Sequence, residues 1–471
     1  MALRDEIIEL SESRMDSGRF FADLSQLVAC ASVSTNGQDG FALSTYLRSH
    51  LSERLRRMGF VITLDEQWNG GPNSFLRAAR FESEELPTVL CYGHADVVDG
   101  QAAEWSADRE PFVLSAEGEK WYGRGTADNK GQHLVNLTAL ELLLEAQGSL
   151  GFNAIFLFEA GEEIGSPDLA EYALAHREQL HADIFIGSDG PRQAAGRPTI
   201  FLGARGGLSF ELSVDLREGG FHSGNWGGLL RNPATTLAAA ISTLVDGRGR
   251  IQVPELLPTE LPKSVRAVLD GLDLPREIGD PAVDIEWGAE GLTPAERVYG
   301  WNTLEVLAMQ AADPRHPVNA IPGTATAVLQ LRFVAGTDIE KVPGAIRRAL
   351  DEAGLDMVTI RQRESFPASR IEPDNPWVTW AADSIAGTTG QQPVILPNIG
   401  GSLPNYVFEA LLGLPTVWVP HSYPGCRQHG PDEHALEPIL RQGLAMMCGL
   451  FYDLGNLHHV PTTFHALTAS Q

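Results

Sequence analysis

The sequence predicts an α/β protein: a mixed-sheet domain with helices on both faces, interrupted by an inserted α+β domain. Two observations carry this. Apolar strand-length runs alternate with amphipathic helix-length runs at both ends of the chain, the pattern of a sheet covered on both faces. Between about residues 205 and 369 that rhythm breaks, then resumes. The expected organisation is therefore 1–204, first part of a discontinuous α/β domain; 205–369, the insertion; and 370–471, the second part.

Element by element, "MALRDEIIELSESRMDSGRFFADLSQLV" reads as a helix, with charge and apolar residues at helical spacing. "SFLRAARF" and "PTVLCYG" read as strands, "GQHLVNLTALELLLEAQG" as a helix, "FNAIFLFEA" as a strand, "PDLAEYALAHREQL" as a helix and "ADIFIGSD" as a strand. The insertion begins at "LGARGGLSFELSVDL". It continues through the helix "NPATTLAAAISTLV", a Pro-rich irregular stretch from Pro254 to Pro317, the strand "TATAVLQLRFV" and the helix "IEKVPGAIRRALDEAG". It closes with "DMVTIRQRES" and a linker, "FPASRIEPDNP". From Trp377 helix and strand alternate again, through "PTVWVP" to the long helix "ALEPILRQGLAMMCGLFYDLG", and the tail after Gly455 reads as poorly ordered.

At 471 residues the chain is long for one core and suits two or three domains. Hydrophobic residues at 43% and charged residues at 20% describe a soluble globular protein. Lys+Arg 35 against Asp+Glu 61 gives a net charge of −26, which disfavours nucleic acid and anionic membrane as partners. The four cysteines, Cys30, Cys91, Cys426 and Cys448, show no CxxC spacing, so no disulfide framework or thiolate zinc site is indicated and a cytoplasmic setting is expected. No apolar run reaches signal-peptide or membrane-span length.

The chemistry gathers at strand ends. "VLCYGHADVVDG" finishes a buried strand in His94-Ala95-Asp96, and a His and an Asp two apart share one face if the strand persists. Asp96 can then hold one imidazole nitrogen and leave the other for a metal. Alone, the pair reads more readily as a satisfied buried histidine. Three further clusters change that. "YGRGTADNKGQ" puts Asp128 between a Gly-rich loop and a helix, "LFEAGEEIGS" puts Glu162 and Glu163 beyond a strand, and "IFIGSDGPR" ends a strand in Asp189. Such groups at neighbouring strand ends repel unless a cation lies among them. Oxygen and imidazole donors without thiolate suit zinc, manganese or cobalt. A Gly-rich turn before a helix can also cradle a phosphate or be purely structural, but "GRGTAD" lacks the third glycine of the dinucleotide fingerprint and Asp128 opposes an anion.

From roughly residue 40 to 452 these motifs, in order, resemble the dinuclear metallo-aminoacylase and dipeptidase family, which includes carnosine dipeptidase, acetylornithine deacetylase, succinyl-diaminopimelate desuccinylase and carboxypeptidase G. The resemblance implies two divalent ions per subunit, zinc foremost, with manganese or cobalt as alternatives. It implies His94 and Asp189 on one ion, Glu163 and His429 on the other, Asp128 as the bridge, Asp96 behind His94 and Glu162 as general base. His429 comes from "QHGPDEH", similar to the family's His-x-x-Asn/Asp-Glu motif, with Asp432 where many relatives carry Asn; His434 is a rival ligand expected at a helix start. "GGFHSGNWGG" resembles the segment whose histidine, here His222, stabilises the oxyanion in the partner's site; a loop histidine bonded within its own domain is the plainer reading. "NAIPGTATAVLQLRF" and "NIGGSLPN" resemble the substrate-carboxylate segments and supply Asn319, Arg332, Gly401 and Ser402, although Arg332 also suits an outward strand position.

The function implied is metal-dependent hydrolysis of a peptide or N-acyl amide bond beside a free carboxylate, with a homodimer formed through the 205–369 lid domain. "ADNKG" and the large insertion favour the cytosolic dipeptidase branch over an N-acyl-amino-acid deacylase. A catalytically silent binding or scaffold protein is the alternative of another class, disfavoured because the base and all five ligands are present.

Overall fold

The computed structural model describes residues 3–35, 40–106, 108–274, 281–457 and 459–461. The chain forms two compact units, one of Met1–Leu202, Ile371–Leu396 and Pro404–Gln471, the other of Gly203–Arg370 with Pro397–Leu403. Pro397–Leu403 thus groups with the second unit and not with its sequence neighbours. Backbone and side-chain bonds explain this: Ile399 N–H donates to Gly203 O (2.9 Å), Asn398 Nδ2 to Tyr299 O (2.7 Å) and Ser402 Oγ to Arg205 O (3.0 Å).

The first unit is built on an eight-stranded mixed sheet. Its order is Val61–Asp65, Phe75–Arg80, Asn153–Glu159, Thr88–His94, Ile184–Gly187, Thr416–Trp418, Thr199–Phe201, Val394–Leu396. The central run, from Asn153–Glu159 to Thr416–Trp418, is parallel; the first two strands add antiparallel. All seven residues of Asn153–Glu159 are buried, as expected of a strand covered on both faces. Alternation in Thr88–His94 separates the two layers. Val89 and Cys91 join the core shared with the Lys130–Gln147 and Glu437–Gly455 helices, while Tyr92 faces the Phe408 ring at 5.2 Å. Helices therefore cover both faces. The amino-terminal segment makes two helices, Leu3–Asp16 and Arg19–Val28, instead of one, because Gly18 between them adopts φ 71°, a left-handed conformation that glycine takes readily.

The second unit has a four-stranded antiparallel sheet in the order Thr303–Gln310, Thr324–Phe333, Gly206–Asp215, Val358–Phe366. Leu208, Phe210, Leu212 and Val214 face a core closed by the Pro233–Leu244 and Val342–Glu352 helices. The stretch expected to be irregular, Pro254 to Pro317, contains the helices Lys263–Leu269 and Pro294–Tyr299 and the edge strand Thr303–Gln310. That strand hides its period because Val306, Leu307 and Met309 are apolar yet exposed. Of the tail read as poorly ordered, 458 and 462–471 lie outside the described residues. Among the described residues no helix is long and apolar enough to cross a membrane.

Candidate metal centre

Three adjacent parallel strands end on the same edge of the sheet, and each delivers part of the site. Thr88–His94 ends in His94; Asn153–Glu159 leads to Glu162 and Glu163 in a short turn; Ile184–Gly187 leads to Asp189. Carboxyl edges of parallel strands are where open α/β sheets place their chemistry. Asp128 sits just before the Lys130–Gln147 helix, and His429 comes from the loop after Thr416–Trp418.

Asp128 is the centre of the cluster. Its Oδ1 lies 2.9 Å from His94 Nε2 and its Oδ2 lies 3.0 Å from His429 Nε2, so one carboxylate faces two separate imidazoles. His429 Nε2 also lies 3.1 Å from Glu163 Oε2, and His94 Nε2 lies 3.6 Å from Asp189 Oδ2. His94, Asp128 and Glu163 each offer a ligand atom within 4.8 Å of the others.

Asp96 does more than sit behind His94. His94 Nδ1 bonds the Asp96 carbonyl oxygen at 3.0 Å and lies 3.3 Å from its carboxylate, which leaves Nε2 directed at Asp128. The Asp96 carboxylate also accepts the backbone N–H groups of Glu162 (3.2 Å) and Glu163 (3.1 Å) and the Ser34 hydroxyl (2.6 Å). One buried residue thereby holds both, the His94 ring chiefly through its carbonyl oxygen and the start of the two-glutamate turn through its carboxylate.

The electrostatics call for positive charge. Burial, reinforced by Asp128, pushes Asp189 up to about 7. Burial also raises Glu162 and Glu163, each helped by neighbouring carboxylates. Hydrogen bonds to Asp128 and Glu163 raise His429 to about 11, and His94, although desolvated, is raised by Asp128 and Asp96. Asp128 is desolvated too, but bonds to the two histidines hold it below its ordinary value. Carboxylates seeking protons beside imidazoles holding them is the signature of a cavity suited to a cation. Asp189 Oδ2, buried and without a hydrogen-bond partner, is the orphaned acceptor such an ion would satisfy. Oxygen and imidazole donors without thiolate fit zinc, manganese or cobalt.

Residues 90–453 match the pattern of Peptidase family M20/M25/M40. The chain belongs to this peptidase family. It is 31% identical over 338 residues to cysteinylglycine-S-conjugate dipeptidase of Corynebacterium striatum, covering 68% of this chain and 70% of that one. It is 25% identical to beta-Ala-His dipeptidase of Mus musculus, covering 79% and 78%. Among solved structures it resembles an M20 family metallo-carboxypeptidase from Sulfolobus solfataricus, at TM-score 0.78 and 25% identity over 93% of this chain and 99% of that one. The peptidase is accordingly a metal-dependent hydrolase of peptide-type C–N bonds.

Of the remaining sequence-predicted residues of the peptidase, His222, Asn319, Arg332, Gly401 and Ser402 lie in its second unit. His222 pairs with Ala320 in a two-residue ladder, and Ser223 N–H donates to Asn319 O at 2.9 Å, so the His222 and Asn319 segments adjoin. His222 is exposed; its Nδ1 accepts Gly224 N–H at 3.1 Å, which leaves Nε2 as the N–H donor of the neutral ring. Arg332 Nη1 donates to Ser402 Oγ at 2.8 Å, and Gly401 beside it has open space where a Cβ would lie. His434 does not begin a helix. It is buried in the short strand His434–Leu436, bonded to Tyr423 Oη at 2.5 Å, and the helix starts at Glu437.

Two residues of the peptidase's site escaped the sequence reading. Gln428 donates its amide to Asp128 Oδ2, and Glu433 accepts the Asp128 backbone N–H at 3.2 Å. Gln428 directly precedes His429, and Glu433 closes the quoted motif, so position beside a ligand was the available signal.

Proposed function

We propose that the protein is a dipeptidase that holds two divalent ions, zinc foremost and manganese or cobalt as alternatives, and works as a cytoplasmic homodimer. The observation that carries this is the Asp128 carboxylate, whose two oxygens face His94 on one side and His429 on the other. His94 and Asp189 would hold one ion, His429 and Glu163 the second, with Asp128 between them. When bound, such ions supply Lewis acidity that makes water nucleophilic near neutral pH and polarises the scissile carbonyl. Glu162, left over from that ligand set and raised by burial, takes a proton from water and returns it to the leaving amine.

Arg332, braced on Ser402, receives the free carboxylate of the substrate together with Gly401 and Asn319. His222 presents its Nε2–H to the developing oxyanion in the partner subunit's site. The inserted domain, 205–369, forms the lid and the dimer contact. Its exposed edge strand Thr303–Gln310, with Val306, Leu307 and Met309 outward, supports that reading, since an apolar edge otherwise invites uncontrolled pairing. Dipeptides are favoured as substrates because cysteinylglycine conjugates and beta-Ala-His name the substrates of the similar enzymes.

The test is metal analysis together with a hydrolysis screen of dipeptides and N-acetyl and N-succinyl amino acids, with zinc, manganese and cobalt. Two ions per chain and dipeptide cleavage are expected. Preferential cleavage of the N-acyl amino acids would replace the dipeptidase reading.

A further inference from the structure

We infer that Glu433 is a positioning residue that aims Asp128 at the ions by gathering the backbone N–H groups of the loop before it onto one buried carboxylate. The inference rests on the reading of Asp128 as a ligand. Glu433 is fully buried. Its Oε1 accepts the N–H of Ala127 at 2.9 Å, Gly125 at 3.1 Å and Asp128 at 3.2 Å. Its Oε2 accepts Gly125 N–H at 3.2 Å and Arg124 Nη1 at 2.6 Å, and its carbonyl oxygen accepts Gly123 N–H at 3.0 Å. The Gly123–Asp128 loop is thus tied at four backbone N–H groups to a single residue.

The tie links the two halves of the centre. Glu433 lies four residues beyond His429, so one short segment carries an imidazole of the site and the anchor of the carboxylate it faces. The backbone there is held in costly conformations, with His429 at φ 63° and Asp432 at φ 59°. Asp432 pins the segment from its other side, accepting Ser106 N–H at 3.0 Å and Arg427 Nη1 at 3.1 Å. Arg124, itself 1% exposed, spends its other nitrogens on Asp99 O at 3.2 and 2.9 Å, so its charge is matched by Glu433.

Each hydrogen-bond partner given above for the Glu433 side chain is a donor, which is why a carboxylate suits the position. An amide would turn an N–H₂ against N–H groups and a guanidinium, leaving at least one of them unsatisfied. A residue that orients a ligand typically changes metal affinity 10–100-fold when lost.

The test measures both metal dissociation constants for folded wild type, Glu433→Gln and Glu433→Ala by competition with a chromophoric zinc chelator, with thermal unfolding alongside. Both constants should weaken by about 10–100-fold, more in Glu433→Ala, because Asp128 faces both sides of the site. A buried residue that only supports the fold would lower the unfolding temperature and leave the constants of the folded protein unchanged. If Glu433→Ala does not fold, the comparison stands on Glu433→Gln, which keeps the side-chain volume. Wild-type affinity in folded Glu433→Gln would overturn the inference alone; a wild-type protein that takes up no zinc would overturn it together with the metal-centre reading.

Discussion

At the scale of single residues, the adjacent glutamates divide their work by direction. Glu163 Oε2 lies 3.1 Å from His429 Nε2, whereas Glu162 is coupled electrostatically to His94, Asp189 and Asp128 without a place in that ligand set. Glu162→Gln should therefore bind metal as the wild type does and lose several orders of magnitude in kcat, beyond the ~10²–10⁴ of acid–base help alone. Steady-state kinetics on metal-replete protein decides it, and near-wild-type turnover would remove Glu162 from the base role. Glu159, three residues earlier, gives a prediction about stability. Burial pushes its carboxyl up to about 7, against hydrogen bonds from Tyr92, Asn73 and Ser166. Its folded value exceeds its unfolded value, so between the ordinary glutamate range and pH 7 the native state holds more protons than the unfolded one. Stability then falls as pH rises through that window. Glu159→Gln removes the titration, so the variant should gain on the wild type from pH 4 to pH 8, by up to roughly 3 kcal/mol at 1.36 per pH unit. Parallel denaturant titrations at both pH values would show the gain; a pH-independent difference would contradict it.

At the scale of elements, the charged strand ends were legible in the sequence and the edge strands were not. His94, Glu162, Glu163 and Asp189 stand out because buried apolar strands finishing in charged residues break the ordinary pattern, and the parallel order brings those ends together, whereas Asp128 shows only as a carboxylate between a Gly-rich loop and a helix. Val61–Asp65, exposed or half-buried throughout, and Thr303–Gln310, with apolar residues outward, carry no clean alternation and were missed. The Pro294–Tyr299 helix did announce itself: "TPAE" places Thr293 and Glu296 in a capping box around Pro294, a local signal masked by the surrounding prolines. Beyond its place close to His429, nothing in the sequence marks the Glu433 hydrogen bonds, because they depend on three loop amides converging, which no spacing encodes. The same elements separate the ligands by consequence. Asp128 faces both imidazoles, while Asp189 neighbours His94. Asp128→Ala should lower occupancy of both ions and Asp189→Ala chiefly of one, as elemental analysis after dialysis would show. Two tightly held ions in Asp128→Ala would be incompatible with a bridge.

At the scale of the whole molecule, the proposed homodimer would complete each site with His222 of the other chain. The first unit gathers the ligand set and Glu162, and the second carries His222, exposed, with its Nε2–H uncommitted and its segment adjoining Asn319. An exposed polar histidine contributes little to its own unit's core, so its removal should leave folding and metal binding intact. His222→Ala is expected to keep both ions and lose at least ~10²-fold in kcat, the scale of removing one oxyanion donor. Mixing tells cis from trans. In a mixed dimer of His222→Ala with Glu162→Gln, one site has its own intact Glu162 and receives an intact His222 from the other chain, while the second site lacks both. Subunit exchange between the two inactive variants should then restore activity toward half of the wild-type value per mixed dimer. If His222 acted within its own chain, each site of the mixed dimer would still lack one of the two groups, and mixed dimers verified by differential tagging would remain inactive.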